Sequence, residues 1–309
     1  MSHWFLIAII APILWSIINH IDKFILSKYQ GGRGVGALLI FSSLSSIVVL
    51  PVIAIIYRSK IFSVSVTDSL MLLLVGLLSA AAFYFYLKAI DKEEASIVIP
   101  IFQLDPIFGY LLGYFILQEL LNVNQIIASV LILVGIISLS VESDINKHFH
   151  FKKRVLILVA ISSFLFALSG VLFKKLALVD SFWISVFWQY TGLTIFGIFV
   201  FIFYKKFRHD FKNMFTGLSF NLLSLNILSE ILYMIGALAN NFALLIAPVS
   251  LVFIVNSYQP MFVFIVGVSI TMFIPRLVKE NISRKHFLHK LSSIIIILIG
   301  SYLLYSSSS

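Results

Sequence analysis

The chain of 309 residues contains no cysteine, which excludes disulfides, thiolate metal sites and cysteine nucleophiles. Charged residues are also scarce: they make up only 11% of the chain, against about a quarter of a typical soluble domain. With so few ionic side chains, a folded chain of this size could not cover its surface for contact with water. The shortage of charge therefore indicates that most of the surface faces lipid.

Several motifs of catalysis are missing as well. No Gly-rich loop ends in Gly-Lys-Ser or Gly-Lys-Thr, so a built-in ATPase motor is not expected. No Asp-rich pair indicates a prenyl diphosphate site, and no His-Glu-x-x-His indicates zinc, while His148 and His150 alone are a poor ligand set. We therefore expect no cofactor and no metal, and any movement of solute would depend on a gradient, on exchange or on facilitated diffusion.

What the chain has instead is apolar sequence: 61% of its residues are hydrophobic. A membrane-spanning helix needs about twenty mostly apolar residues. The sequence contains ten such runs, and we predict an all-α membrane protein of ten transmembrane helices, called spans 1 to 10. They lie at 4–27, 35–57, 69–90, 95–118, 124–141, 155–178, 182–204, 218–246, 248–275 and 290–305.

The two halves of the chain align with each other. Gln103–Phe108 of span 4 matches Ser257–Phe262 of span 9, since each contains an internal proline; in spans 5 and 10, Gly135 matches Gly300. In spans 1 and 6, Trp15 falls on Phe166, Asn19 on Gly170 and Lys23 on Lys174. The alternative is chance similarity among apolar helices. We predict a first five-helix repeat at 1–142, a basic connecting loop at 143–154 and a second repeat at 155–309. Five is odd, so the second repeat would be inverted, with a substrate site between the halves.

These features together resemble an EamA-type member of the drug/metabolite transporter superfamily. The resemblance rests on the stretch Trp15–Lys23, its echo ending at Lys174, the two proline-containing spans, and Glu119 at the end of span 4. It implies a substrate cavity between the two halves and no covalent step. The chain departs from the family pattern in lacking the usual glycine after Trp15 and in having Phe273 where the second half would repeat Glu119.

Glu230 is the most prominent polar residue inside a predicted span, because no other charge interrupts the stretch from Asn213 to Pro275. A charge in the bilayer is costly and usually faces a cavity or a partner. We interpret it as a cavity-facing carboxylate that binds a cationic or amine-bearing substrate or carries a coupling proton. The alternative is a structural carboxylate bonded to a neighbouring helix. Residues at helical spacing continue its stripe along span 8: Asn226, Tyr233, Ala237 and either Asn240 or Asn241.

Span 1 carries a second polar group, in which Asn19 or His20 shares a face with Lys23, and Asp22 lies beside it. His20 near Asp22 could relay protons. For Asp22 we favour a local pair with Lys23 at the membrane edge, where a lysine extends to the interface. Alternatively, Lys23 and Lys174, from the two inverted repeats, present positive charge to an anionic substrate.

The prolines of spans 4 and 9 predict breaks in the helical hydrogen bonding, which survive in a membrane where they line water or are satisfied by protein. Gln103, Asp105, Asn256 and Gln259 would then gather between the repeats as substrate-binding residues. The alternative is a structural kink that lets the two spans pack together.

The net charge of +9 does not predict nucleic-acid binding, because the basic residues lie in short segments between apolar runs. Membrane lipid headgroups are their expected partners. Most of the 22 Lys and Arg residues fall in loops after odd-numbered spans. By the positive-inside rule these loops face the cytoplasm of a cell-membrane protein and both termini face outward, although many EamA-type proteins are thought to have both termini inside.

The sequence therefore favours a secondary transporter, an exporter or importer of a small metabolite that works by alternating access through a central polar cavity. One alternative is a polytopic membrane enzyme acting on a lipid-linked substrate, which would need a carboxylate or histidine cluster at one membrane face. Another is a membrane scaffold, which would leave the Glu230 stripe unexplained. The sequence carries no signal for a particular oligomeric state.

Overall fold

The computed structural model describes residues 3–28, 34–92, 98, 101–140, 153–217, 220–273 and 284–307, and every regular element in these ranges is helical. Short 3₁₀ segments at Ser46–Val48 and Arg58–Ser63 and a π segment at Gly113–Leu117 extend neighbouring helices. The α-helices are α1 His3–Ala8, α2 Ile10–Lys28, α3 Gly34–Ser45, α4 Val49–Tyr57, α5 Val66–Ile90, α6 Leu104–Leu112, α7 Val123–Ser140, α8 Lys153–Ala177, α9 Phe182–Phe203, α10 Lys205–Gly217, α11 Phe220–Ile246, α12 Val249–Asn256, α13 Gln259–Phe273 and α14 Arg284–Ser307.

Seven helical segments of the described chain are long and apolar enough to cross a membrane, and they correspond to predicted spans 1, 2, 3, 6, 7, 8 and 9. Spans 4, 5 and 10 contain shorter apolar helices, at Leu104–Leu117, Val123–Ser138 and Leu291–Leu304. The predicted all-α membrane fold is confirmed, whereas the count of ten spans is not. Large apolar side chains such as Ile55, Phe115 and Ile198 are exposed on the outside of the bundle, as lipid contact requires.

Two of the predicted spans are interrupted. Phe102 and Gln103 form a turn before α6, and Ser257 and Tyr258 separate α12 from α13. Both segments are thus broken near the prolines, as predicted, and each break comes before the proline. Pro106 and Pro260 then lie in the first turn of a new helix, where the missing N–H costs no internal hydrogen bond.

Close packing of the bundle depends on glycines at helix contacts, as is common between membrane helices. A Cβ added at Gly76 of α5 would lie 2.1 Å from the Gln189 carbonyl oxygen of α9, and one at Gly192 would lie 2.2 Å from the Leu73 carbonyl oxygen. Because backbone atoms of the partner helix occupy this space, no side chain fits between α5 and α9.

The contact between α7 and α14 is reciprocal. A Cβ at Gly135 would lie 2.8 Å from Cγ1 of Ile297, and a Cβ at Gly300 would lie 2.8 Å from Cγ1 of Ile132. Other contacts also recur with the halves exchanged: α5 packs on α8 as α11 packs on α2, and α6 packs on α8 as α13 packs on α2.

Residues 205–217, predicted as a loop, instead form the amphipathic helix α10. Its Phe207 and Phe211 pack against α3, and its Lys205, Lys206 and Lys212 are exposed. Of the predicted connecting loop at 143–154, Lys153 and Arg154 begin α8 and the remainder lies outside the described residues.

Replacing Gly76 or Gly192 with Ala should lower the melting temperature of the purified protein, because overpacking a tight contact costs about 1–3 kcal/mol. Gly170→Ala is the matched control, since the nearest atom to its added Cβ is the tip of the Phe253 ring at 3.0 Å, which can move. Equal melting temperatures for Gly76→Ala, Gly170→Ala and the unmodified chain would contradict this account of the α5–α9 contact.

Candidate functional site

A cavity of about 220 Å³ lies inside the helix bundle. Its walls come from α2, α5, α8, α9 and α11, and from the two broken segments around α6 and α12–α13. Both halves of the chain thus contribute to one cavity. A broken helix exposes backbone and polar side chains to whatever fills that space, which is how such breaks are tolerated in a membrane.

Four aromatic side chains form one continuous side of the cavity, called the aromatic wall. The ring of Phe83 lies 6.4 Å from that of Tyr233 on α11 and stacks on Tyr86 at 5.9 Å. Tyr86 in turn meets the edge of Phe102 at 5.6 Å. Elsewhere the cavity is lined by four further rings: Trp15, Phe166, Tyr190 and Phe253.

Amide side chains join the helices around the cavity. Asn241 Nδ2 donates to Gln189 Oε1 at 2.9 Å, which links α11 to α9. Asn256 Nδ2 donates to Asn240 Oδ1 at 2.8 Å, which links the end of α12 to α11. These bonds fix the positions of amides that also face the cavity.

Hydroxyl groups form further hydrogen bonds between helices on another side of the cavity. The Tyr86 hydroxyl donates to Asn19 Oδ1 at 3.3 Å, and the Ser79 and Ser169 hydroxyls lie 2.6 Å apart. These contacts join α5 to α2 and to α8. Each such pair satisfies polar groups that would otherwise be buried without partners.

Other polar atoms of the cavity have no hydrogen-bond partner among the residues that the structure describes. Gln103 and Tyr190 are only 6% and 4% exposed, yet Gln103 Oε1 and the Tyr190 hydroxyl are unpaired. Trp15 Nε1, Asp105 Oδ1 and Asn256 Oδ1 are in the same condition. Buried polar atoms without partners cost free energy unless water or a ligand meets them. All five side chains line the cavity, which makes it the candidate functional site.

Two carboxyl groups face the cavity. Asp105 does so as expected, and Ser163 lies beside it on α8. Asp22 does so against expectation: it lines the cavity and accepts a hydrogen bond from Ser229 Oγ of α11 at 3.2 Å. Asp22 therefore faces α11 and the cavity, and its pairing with Lys23 stays a prediction, because the Lys23 side chain is outside the described part of the chain.

Glu230 lines a smaller pocket of about 40 Å³ that shares Asp22, Phe83 and Tyr233 with the main cavity. Its carboxylate accepts hydrogen bonds from Ser42 Oγ and, at 3.1 Å, from Ser45 Oγ, both on α3. Glu230 is thus bonded to a neighbouring helix and also faces a polar space. The two interpretations of Glu230 are both compatible with this geometry.

The structure brings most of the predicted binding residues together. Gln103, Asp105, Asn240, Asn256 and Gln259 all line the main cavity. Tyr233 and Ala237 from the Glu230 stripe line it too, whereas Asn226 is turned away and contacts Met214 Sδ at 3.7 Å. The side chain of Lys23 lies outside the described residues.

His20 and Lys174 are corrections, since neither lines the cavity. The His20 ring nitrogen Nε2 lies 3.1 Å from the carbonyl oxygen of Val263, where α2 packs on α13. Lys174 Nζ forms an ion pair with Glu119 Oε1 at 2.5 Å and donates to the Ala247 carbonyl at 2.6 Å. Neither residue therefore meets a substrate in this structure.

Glu119 has a structural role in the same cluster. Its Oε2 accepts a hydrogen bond from the backbone N–H of Val249 at 2.7 Å, at the first residue of α12. A carboxylate is stabilising at a helix N-terminus because the free N–H groups there need acceptors. The Glu119–Lys174 pair therefore joins the end of the fourth span to α8 and to the α11–α12 connection.

Sequence reasoning did not single out several cavity residues, among them the polar residues Asp22, Gln189 and Tyr190. A signal for Asp22 was present, because Asn19 and Asp22 share a helical face with Trp15. Nothing in the sequence indicates which side of span 7 meets the cavity, so Gln189 and Tyr190 could not be distinguished from packing residues.

The fold and the cavity define an α-helical multi-pass membrane protein. Residues 2–141 match the model of a family described as the EamA-like transporter family. This match confirms the resemblance to EamA-type transporters of the drug/metabolite transporter superfamily and identifies the first half of the chain as an EamA-like transporter region.

Among curated proteins, no sequence matches this chain. Solved structures do match the fold. One of them, described only as "Crystal structure of protein", superposes with a TM-score of 0.68 over 98% of this chain and 95% of its own, at 12% sequence identity. At that identity the similarity shows the fold alone.

Lys174→Met should destabilise the protein strongly, because it leaves Glu119 as an unpaired buried charge, a loss of about 3–5 kcal/mol. The double variant Lys174→Met/Glu119→Gln should regain much of that loss. The exposed neighbour Lys175 provides the control Lys175→Met. Thermal unfolding of the purified proteins measures all four. An unchanged melting temperature for Lys174→Met would show that the pair does not stabilise the fold.

Proposed function

We propose that this protein is a secondary transporter that moves a small metabolite across the cell membrane by alternating access through the central cavity. The observation that carries the proposal is the set of polar side chains, unpaired among the described residues, that line a cavity between apolar helices. Such groups are expensive within a membrane and usually mark a solute pathway.

Pairing of the cavity walls supports two inverted five-helix repeats at 1–142 and 155–309. Trp15 and Phe166, which align between the halves, both line the cavity, and so do Asp105 and Gln259. The alignment that places Gln103 on Ser257 also pairs three cavity-lining residues of α5 with three of α11. The pairs are Ser79 with Tyr233, Phe83 with Ala237, and Tyr86 with Asn240. A substrate site between inverted repeats is a common transporter design.

A difference between the halves supports alternating access. In the same register Gly76 of α5 corresponds to Glu230 of α11. At Gly76 the α5–α9 contact is closed by backbone atoms, whereas at Glu230 a small polar pocket separates α11 from α3. In a carrier whose cavity is closed toward one side of the membrane and can open toward the other, the α5–α9 and α11–α3 contacts would differ in this way.

We assign substrate contact to Gln103, Asp105, Asn240, Asn256 and Gln259, and add Asp22. Glu230 is the candidate carrier of a coupling proton, because its pocket adjoins the cavity at Asp22 and Tyr233. The orientation remains a proposal based on charge. The exposed lysines of α10 add to the basic side of the protein, which the positive-inside rule assigns to the cytoplasm.

Labelling of single cysteines tests alternating access, because the chain has no cysteine of its own. In vesicles of known orientation, Ala237→Cys in the cavity should react with a charged, membrane-impermeant thiol reagent applied from either side. The reason is that a carrier exposes the same site to both compartments in turn. Ile198→Cys, on the exposed apolar side of α9, should resist the reagent from both sides.

Sidedness is controlled by Ser63→Cys and Asp91→Cys, which flank α5 and should each react from one side only; the charge rule predicts the cytoplasmic side for Asp91. If Ala237→Cys reacts from a single side, the transport proposal is wrong, and a membrane enzyme open to one face becomes the better interpretation.

Glu230→Gln tests the coupling proton, because an amide of nearly the same shape cannot release a proton. Its oxygen can still accept from one of the two hydroxyls of Ser42 and Ser45, and its N–H can donate to the other. We expect the ratio of labelling of Ala237→Cys from the two sides to change between acidic and alkaline buffers. With Glu230→Gln added, this pH dependence should disappear. Asp91→Asn is the control and should retain it. A pH-dependent ratio that survives Glu230→Gln would exclude this residue as the proton carrier.

A further inference from the structure

The charged groups of the cavity are of one sign. Among its described lining residues, Asp22 and Asp105 are acidic and none is Lys, Arg or His. Lys174, the nearest candidate for a positive charge in the second half, is neutralised by Glu119 and by the Ala247 carbonyl. An anionic substrate would thus meet carboxyl groups without a compensating cation from these residues.

Three unpaired atoms of the cavity are acceptors. Gln103 Oε1, Asp105 Oδ1 and Asn256 Oδ1 are buried and form no hydrogen bond with the described residues. Gln103 is itself more than nine-tenths buried. Acceptors are satisfied by N–H or O–H groups, and an ammonium group supplies three donors and no acceptor.

The aromatic wall adds a second recognition element. The faces of aromatic rings attract cations within about 6 Å, and they also provide apolar area for a planar group. Asp105 belongs to the same turn as Phe102, closed by the hydrogen bond from the Asp105 N–H to the Phe102 carbonyl at 2.9 Å, and both residues line the cavity. The other acidic residue of the cavity, Asp22, lies one helical turn beyond Asn19, which accepts from Tyr86.

The size of the cavity limits the ligand. An apolar cavity of about 150 Å³ holds one benzene molecule. The present cavity, at about 220 Å³, therefore has room for one ring with a short side chain.

The geometry points to a substrate that is a small organic ammonium ion carrying an apolar or aromatic group of about one ring. Asp105, Gln103 and Asn256 receive its ammonium donors, and the aromatic wall holds its apolar part. This inference rests on the proposed function, since it names the substrate class of the same cavity. It also replaces the anionic substrate that Lys23 and Lys174 had suggested.

Three probes of one shape and different charge test the inference: 2-phenylethylamine, 2-phenylethanol and phenylacetate. The measurement uses the full-length Ala237→Cys protein in detergent, with two readouts, the rate of thiol modification and the melting temperature. The protonated amine should protect the introduced thiol and raise the melting temperature at a concentration at least about tenfold below that of the alcohol, and phenylacetate should do neither.

Asp105→Asn and Asp22→Asn should each reduce the advantage of the amine over the alcohol. Asp91→Asn, at the exposed end of α5, should leave it unchanged. If an aspartate variant fails to fold, the charge series on the parent protein decides the matter alone. Equal protection by amine and alcohol, stronger protection by phenylacetate, or an amine advantage that survives both aspartate substitutions would overturn the inference.

The two proposals fail separately. A cavity cysteine that reacts from both sides of the membrane but does not favour the amine leaves the carrier intact with a different substrate class. A cysteine that reacts from one side only removes the carrier, whatever the probes show.

Discussion

A polar atom placed among apolar helices in lipid must find its partner inside the protein, and the arrangement of this molecule follows from that requirement. Isoleucine, leucine and phenylalanine cover the outside of the bundle, and the few amides, hydroxyls and carboxyls turn inward. Helices that meet through glycine bring backbones together without polar groups, as α5 and α9 do at Gly76 and Gly192. Where polar side chains cluster instead, the helices stand apart and the cavity remains between them.

Buried polar groups in this protein are of two kinds, those bonded to other protein groups and those left unpaired. Glu119 and Lys174 satisfy each other and two backbone groups at the α11–α12 connection, so they join parts of the bundle and leave nothing for a ligand. Gln103 and Tyr190 are equally buried but have unpaired atoms. A buried polar group that already has its partner contributes to stability. An unpaired one is stabilised only when water or a solute enters the cavity and bonds it. The unpaired atoms are therefore better guides to the site than charge alone.

The sequence predicted the helical membrane fold and the broken segments, since runs of apolar residues and internal prolines are local signals. It also predicted Gln103, Asp105, Asn256 and Gln259 in the cavity, because a broken helical segment must face the protein interior and not lipid. The structure places Asp22 at the cavity wall but not His20 or Lys174. For a residue on an unbroken helix, the direction of the side chain depends on how the whole helix is rotated against its neighbours. That rotation is set by distant contacts such as Ser229 with Asp22.

One position at which the two halves differ is also informative. In the proposed register of the halves, three cavity-lining residues of α5 pair with three of α11, whereas Glu230 takes the place that Gly76 holds in the first half. A glycine allows the helices to touch, while a carboxylate bonded to Ser42 and Ser45 keeps a small polar pocket between α11 and α3. If both pairs were glycine contacts, the two sides of the cavity would be sealed alike. The single carboxylate makes the sides unequal, and a group that exchanges a proton at that contact would change which side is favoured.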